Sequence, residues 1–256
     1  MTRATWIFAG VVLLALEGGP AAAAVSPAIA AAVNEASRPD ADKQRDAERM
    51  PAETLAFSGV KPDDSVAELI PGGGYFTRLL SKVVGGKGHV YAVAPARRPD
   101  APADTPDRSV GAKRVAADAH YANVSVLVEP IKSVSVPAPV DLIWTSQNYH
   151  DVHNVPNIDL LAFNKSVFDA LKPGGVYLVI DHMAQPGSGA RDTSTLHRID
   201  SQLVKTEVLA AGFVLDSQSD LLHRATDPQT APVFDASIRG KTDQFLLKFR
   251  KPKKNP

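Results

Sequence analysis

The chain contains no cysteine, which excludes a disulfide framework and a lipid-anchored N-terminal cysteine. It has no excess of charge of either sign. Lys plus Arg and Asp plus Glu stand at 28 each, so no basic field exists to attract DNA or RNA. The basic cluster Lys248 to Lys254 reads as a solvated tail. The apolar run at the N-terminus, Trp6 to Leu16, is too short for a comfortable membrane span, which needs about 20 residues. What is present is an ordinary globular balance, 44% hydrophobic and 22% charged over 256 residues, enough for one domain with a full core.

The N-terminus reads as a targeting segment. Arg3 gives a positive start, Gly18-Gly19-Pro20 ends the apolar run, and Ala22-Ala23-Ala24 offers small residues for cleavage. We expect residues 1–24 to be a signal peptide, the mature chain to start near Val25, and the protein to be exported, to the periplasm, without stable membrane insertion after cleavage. An uncleaved anchor is the alternative. Residues 25–44, alanine-rich and polar, read as a flexible lead-in or short helix, and residues 45–256 as a single domain.

The centre of the chain is Val66-Ala67-Glu68-Leu69-Ile70-Pro71-Gly72-Gly73-Gly74, a short apolar strand running into a glycine turn. Tyr75, Phe76, Leu79, Leu80, Val83 and Val84 then recur at helical spacing, and Gly85-Gly86 stops the helix. Such a turn exposes backbone N–H groups to a ligand at a positive helix end. Ile70, preceding a proline, is expected to be extended, which shifts the bend onto the glycines. The turn is not a dinucleotide fingerprint, because Thr77 stands where the third glycine belongs. No Tyr-x-x-x-Lys pair and no phosphate-binding Gly-x-x-x-x-Gly-Lys-Ser/Thr occurs either.

Further strands are expected at Gly88–Val93, Val124–Val128, Asp141–Ser146, Val176–Ile180, Phe213–Leu215 and Gln244–Phe249. Helices are expected at Asn157–Leu171 and at about Thr195–Ala211, and a helical hairpin with Pro51 opening its second helix precedes the first strand. This alternation predicts an α/β fold, with a parallel sheet covered on both faces. The long connection from Asp220 to Lys241 is a candidate flap.

From about Arg45 to Pro252 the chain resembles the class I, seven-stranded, S-adenosylmethionine (SAM)-dependent methyltransferases, and among them exported bacterial proteins of unassigned substrate. The residues that carry the resemblance are Glu68 to Gly74, Ser146-Gln147-Asn148-Tyr149-His150-Asp151, Leu171-Lys172-Pro173-Gly174-Gly175, Asp181-His182, Leu196 to Asp200 and Thr242 to Phe245. It implies a Rossmann-like doubly wound sheet of order 3-2-1-4-5-7-6 with strand seven antiparallel. It also implies SAM as cofactor, bound through Glu68, Pro71, Gly72, Gly73, Gly74, Glu129 and Gln147, and a small-molecule substrate. The chain departs from the family pattern at two places. Ile70 replaces the first glycine, and Ala94-Pro95 stand where an acid usually holds the ribose hydroxyls.

His150, just past strand four, is the candidate catalytic base or polar anchor, with Tyr149 as an aromatic wall. Asn148 or Gln147 could orient the acceptor or the cofactor. The bland alternative is that His150 and His153 only hydrogen-bond across a loop. His150, Asp151, His153, Asp181, His182, His197 and Asp200 also gather near the strand ends, yet their spacings are not specific, so no residue is assigned to a metal. The competing functional class is a repurposed or non-catalytic periplasmic protein that keeps the fold without productive cofactor binding.

Overall fold

A computed structural model describes residues 24–98, 101–102 and 104–253. All of the expected signal peptide except Ala24 lies outside the described residues. No helix among them is long and apolar enough to cross a membrane.

The first strand, β1 (Ser65–Leu69), is central and buried on both faces from Val66 to Leu69, and it pairs in parallel with β2 (His89–Pro95) and β4 (Val140–Ser146). β3 (Val124–Glu129) adds to β2, and β5 (Leu171–His182) adds to β4. β7 (Gln244–Arg250) pairs antiparallel with β5, and β6 (Val214–Ser219) closes the edge. The seven-stranded order is β3-β2-β1-β4-β5-β7-β6, as the resemblance implies. Between β4 and β5 the register jumps from Val140↔Leu171 to Leu142↔Val176, because Lys172-Pro173-Gly174-Gly175 loops out with Gly174 at φ 81°.

Alternate side chains feed two cores. On one face Val66, Val90, Trp144 and Ile180 pack against α5 (Tyr75–Val84), α4 (Pro51–Ser58) and α1 (Pro27–Val33). The six apolar residues of α5 named from sequence are all buried, and Phe76 meets Trp144 with ring centroids 4.6 Å apart. On the other face Ala67, Ile143, Tyr177 and Phe249 pack against α8 (Leu160–Ala170) and α9 (Ser201–Ala210). The remaining helices are short: α2 (Asp40–Lys43), α3 (Asp46–Arg49), α6 (Val110–Ala116) and α7 (Tyr149–His153).

Several expectations need correction. The segment 25–44 contains short helices, α1 and α2, as one of the two expectations had it, but it is not a loose lead-in: Ile29 and Ala32 enter the core, and Asp42 accepts a hydrogen bond from Arg78 Nε at 2.7 Å. Ile70 is not extended. Its φ is 53°, a left-handed conformation that its branched side chain disfavours, so the turn begins one residue before the proline. The helix expected from Thr195 starts at Ser201, where the Asp200 carboxylate caps it by accepting from Gln202 N–H, and His197 sits at φ 55°.

Candidate functional site

The carboxyl ends of β1 and β4 open into a cleft of about 400 Å³, lined by Ile70, Pro71, Gly72, Gly73, Arg49, Gln147, Asp151 and Phe234, among others. Its floor is the glycine turn, which is braced on three sides. Gly74 N–H donates to Pro71 O at 2.9 Å. Arg78, itself paired with Asp42, donates to Gly73 O at 3.1 Å. Gly111 of α6 packs directly on the turn, so close that a Cβ there would lie 2.1 Å from Gly72 O. The N–H groups of Gly72 and Gly73 find no backbone acceptor among the described residues. A Cβ on Gly73 would meet nothing within 4 Å, so that position faces open space, whereas one on Gly74 would strike Val115 at 2.5 Å. Gly73 borders the ligand space, and Gly74 serves the packing.

Glu68 lies beneath the turn and is nearly buried, with its carboxylate accepting from the Thr77 hydroxyl. Burial pushes its pKa up to about 8, and the Thr77 bond and the charges of Arg49 and Arg78 offset only part of that cost. Pro71 and Gln147, two of the residues named from sequence, also line the cleft. Gln147, at φ 61°, accepts from Arg49 at 2.7 Å and donates to Gln244 at 3.0 Å.

Arg49 is the residue that sequence reasoning missed. It stacks on Tyr75 at 4.7 Å and Phe76 at 5.4 Å, which holds a guanidinium in the cleft wall. Burial lowers its pKa to about 10, which leaves it cationic at neutral pH. The only sequence signal is its place at the end of a short helix before β1.

The end of β4 divides its residues between different tasks. Asn148 is locked. Its amide donates to Leu69 O, Ile70 O and Ser146 O and its oxygen accepts from Thr145, which ties β1 to β4. It orients the strands rather than a ligand. Tyr149 does not face this cleft, contrary to expectation: it is fully buried on the opposite face, where its hydroxyl donates to Glu207 and accepts from Asn164, both at 2.9 Å. Successive residues of α7 project about 100° apart, so Tyr149 shares a face with His153 and turns away from Asp151. His153 follows it, pairing with Glu207 at 3.1 Å.

His150 is held by Asp181 at the end of β5. The carboxylate accepts the His150 backbone N–H and lies 2.8 Å from Nδ1. Burial acts to lower the His150 pKa, but the carboxylates of Asp181 and Asp151 outweigh it and hold the imidazole above its ordinary value. Burial likewise acts to raise Asp181, and His150 and His182 hold it below the carboxylate norm. His182 is pushed by burial to about 4 and bonds Thr242 at 2.9 Å. Nε2 of His150 points toward Asp151 Oδ1, 3.7 Å away, and the His197 ring stands edge-on at 5.4 Å. His197 packs in turn on Phe234, a cleft residue on the long connection expected as a flap. That connection is anchored by Arg198, which is fully buried and paired with both oxygens of Asp227 at 2.8 and 2.9 Å.

Glu129 lies apart from the glycine turn. With Val93, Ala94, Pro95 and the buried face of Tyr149, it lines a small apolar cavity under the ends of β2 and β3. A larger cavity of about 530 Å³ next to it is lined by Arg97, Arg98, Arg108 and Lys132, with Asp151. Arg108 and Asp151, 3.3 Å apart, border both this cavity and the glycine-turn cleft. Ala94, where the ribose acid would stand, is itself buried, and Glu129 is the carboxylate that lines the cavity beside it.

No protein-family model and no curated protein matches the chain. Solved structures do match. A SAM-dependent methyltransferase from Aquifex aeolicus aligns over 84% of this chain and 98% of its own, with 20% identity and a TM-score of 0.57. The glycopeptide N-methyltransferase MtfA, solved with sinefungin, aligns over 81% and 86%, with 16% identity and a TM-score of 0.54. The [4+2]-cyclase SpnF aligns over 83% and 81%, also with 16% identity and a TM-score of 0.54. With the observed strand order, these likenesses establish that the chain has the fold of the class I SAM-dependent methyltransferases.

Proposed function

We propose that the protein transfers a methyl group from SAM to a small molecule in the cleft above Gly72 and Gly73. The observation that carries this reading is the open, braced glycine turn sharing one cleft with the half-buried Arg49 cation. A free amide pair and a guanidinium suit the carboxylate of an amino acid. The methionine end of SAM is thus well fitted, held by Gly72, Gly73, Arg49 and Gln147, with Pro71 shaping the turn. The ribose end lacks the usual acid at the end of β2, where Ala94 stands, and the nearby contacts fall to Pro95 and the Glu129 carboxylate at the end of β3. When bound, SAM supplies an electrophilic methyl group, which an acceptor lone pair takes while the C–S electrons stay on sulfur. Asp181 fixes His150 so that Nε2 can take the acceptor's proton. Asn148 keeps β1 and β4 in register so that both halves of the cleft stay aligned.

The test is calorimetry with SAM and S-adenosylhomocysteine on wild type and Gly73→Val. The substitution projects into open space, so the fold should survive while affinity falls at least tenfold. Equal affinity in both proteins would move the site elsewhere. The absence of an acid at Ala94 favours a second reading, a protein of this fold that has lost productive cofactor binding. It predicts no heat with either ligand in wild type. SpnF, named as a cyclase, has the same fold.

A further inference from the structure

We propose that His150, Asp151 and His197 form a binding site for a divalent first-row transition ion of the zinc type, at the edge of the cleft. One ligand atom from each lies within 4.8 Å of the others. The three come from different places. His150 and Asp151 sit in α7 beyond β4, and His197 lies in the turn before α9, 46 to 47 positions along the chain. Two imidazoles and one carboxylate are a donor set that suits such ions and leaves coordination positions open.

The spacing is close to what an ion requires. Bonds of about 2.0–2.2 Å place neighbouring ligand atoms in a tetrahedral site roughly 3.3 Å apart. His150 Nε2 and Asp151 Oδ1, at 3.7 Å, need a shift of only a few tenths of an ångström. His197 closes the remainder by rotating its ring, which is only partly buried. Preorganisation is strongest at His150. Asp181, wholly buried, accepts a hydrogen bond from Nδ1–H and so leaves the lone pair on Nε2, the nitrogen nearer Asp151 Oδ1. Asp151 can serve two partners, since Arg108 contacts Oδ2 and leaves Oδ1 for the ion.

The ion site stands independently of methyl transfer. Its use in the reaction rests on the reading above: open coordination positions beside the cleft would hold an oxygen- or nitrogen-bearing acceptor and make its proton more acidic. His150 is then a ligand, and the acceptor's proton passes to solvent. The two uses of His150 exclude one another in a single molecule.

The experiment is titration of the chelator-treated full chain with Zn²⁺, beside His197→Ala and Asp151→Asn, with thermal melts to confirm folding. Wild type should bind one ion, and each variant should bind at least 100-fold more weakly, with His197→Ala, which lies outside the cleft lining, keeping its affinity for SAM. Titration with Co²⁺ gives a second readout that needs no variant, because a four-coordinate protein-bound ion absorbs visible light far more strongly, and at longer wavelength, than the octahedral hydrated ion. Stoichiometric binding that both variants retain, or Co²⁺ spectra identical to the free ion, would overturn the site. Zn²⁺ binding without SAM binding removes methyl transfer and leaves the ion site standing. SAM binding without Zn²⁺ binding does the reverse.

Discussion

Glu68 shows how one side chain can carry opposite demands. Its position in an apolar strand beside a glycine turn marks it from sequence as a residue with a task, yet sequence alone does not say that Thr77, nine positions on, covers its carboxylate. With its folded pKa near 8 and an unfolded value near 4.5, the native state holds a proton that the unfolded chain releases. The sign follows from linkage. The contribution to stability is full below about pH 4.5 and is lost as pH rises through 8. Glu68→Gln keeps an acceptor for Thr77 and removes the titration. The variant should therefore gain on wild type between pH 5 and 8, by an amount on the order of a few kcal/mol. Urea melts across that range measure the difference, and parallel pH profiles would show that the carboxyl is not protonated in the fold. Arg49 illustrates the converse. Nothing local marks it, because its role comes from Tyr75 and Phe76 stacking beneath it from another element.

At the level of elements, the strands were legible and the short helices were not. A five- to seven-residue apolar run bounded by glycine or proline signals a buried strand, and β1, β2, β4 and β7 follow that pattern closely. α6 and α7, of seven and five residues, are too short for periodicity to reveal them. They nonetheless decide the site. α7 turns Tyr149 into the core on the far side, while Asp151 lines the cleft and His150 lies buried behind it, its Nε2 3.7 Å from Asp151 Oδ1. The Ile70 turn was read wrongly for a related reason: a local rule for pre-proline residues yields to the Asn148 amide, which holds Ile70 O at 3.1 Å from the end of β4. α6 contributes through Gly111, whose lack of a side chain lets the helix touch the Gly72 carbonyl. Gly111→Ala must push the turn aside. It should cost about 1–3 kcal/mol, as overpacking does, and weaken SAM binding although residue 111 touches no ligand. A variant with unchanged melting temperature and unchanged SAM affinity would mean that helix and turn are not in contact.

For the whole molecule, the question is what closes the carboxyl edge of the sheet, since β4 and β5 end there with buried polar groups. The connection from β6 to β7 returns across that edge and places Phe234 against both His197 and the cleft. Proline content marked it as a long loop from sequence, but the anchor is a pairing between residues 29 positions apart that no spacing rule indicates. Arg198 and Asp227 are both inaccessible, and the same carboxylate also accepts the backbone N–H groups of Gln229 and Asp243. The pair thus fixes the connection at its middle and its end. Removing one partner leaves a buried charge uncompensated, which typically costs about 3–5 kcal/mol, whereas replacing both by apolar residues restores much of the loss. Arg198→Met should accordingly destabilise the protein by that amount, and Arg198→Met with Asp227→Leu should recover part of it. The recovery is incomplete here because the N–H groups of Gln229 and Asp243 lose their acceptor in the double variant. Hydrogen exchange locates the effect: the single variant should expose amides between 222 and 243 while β1 and β4 stay protected. A loss below 1 kcal/mol, or exchange that rises evenly over the sheet, would show that the connection is held by something other than this ion pair.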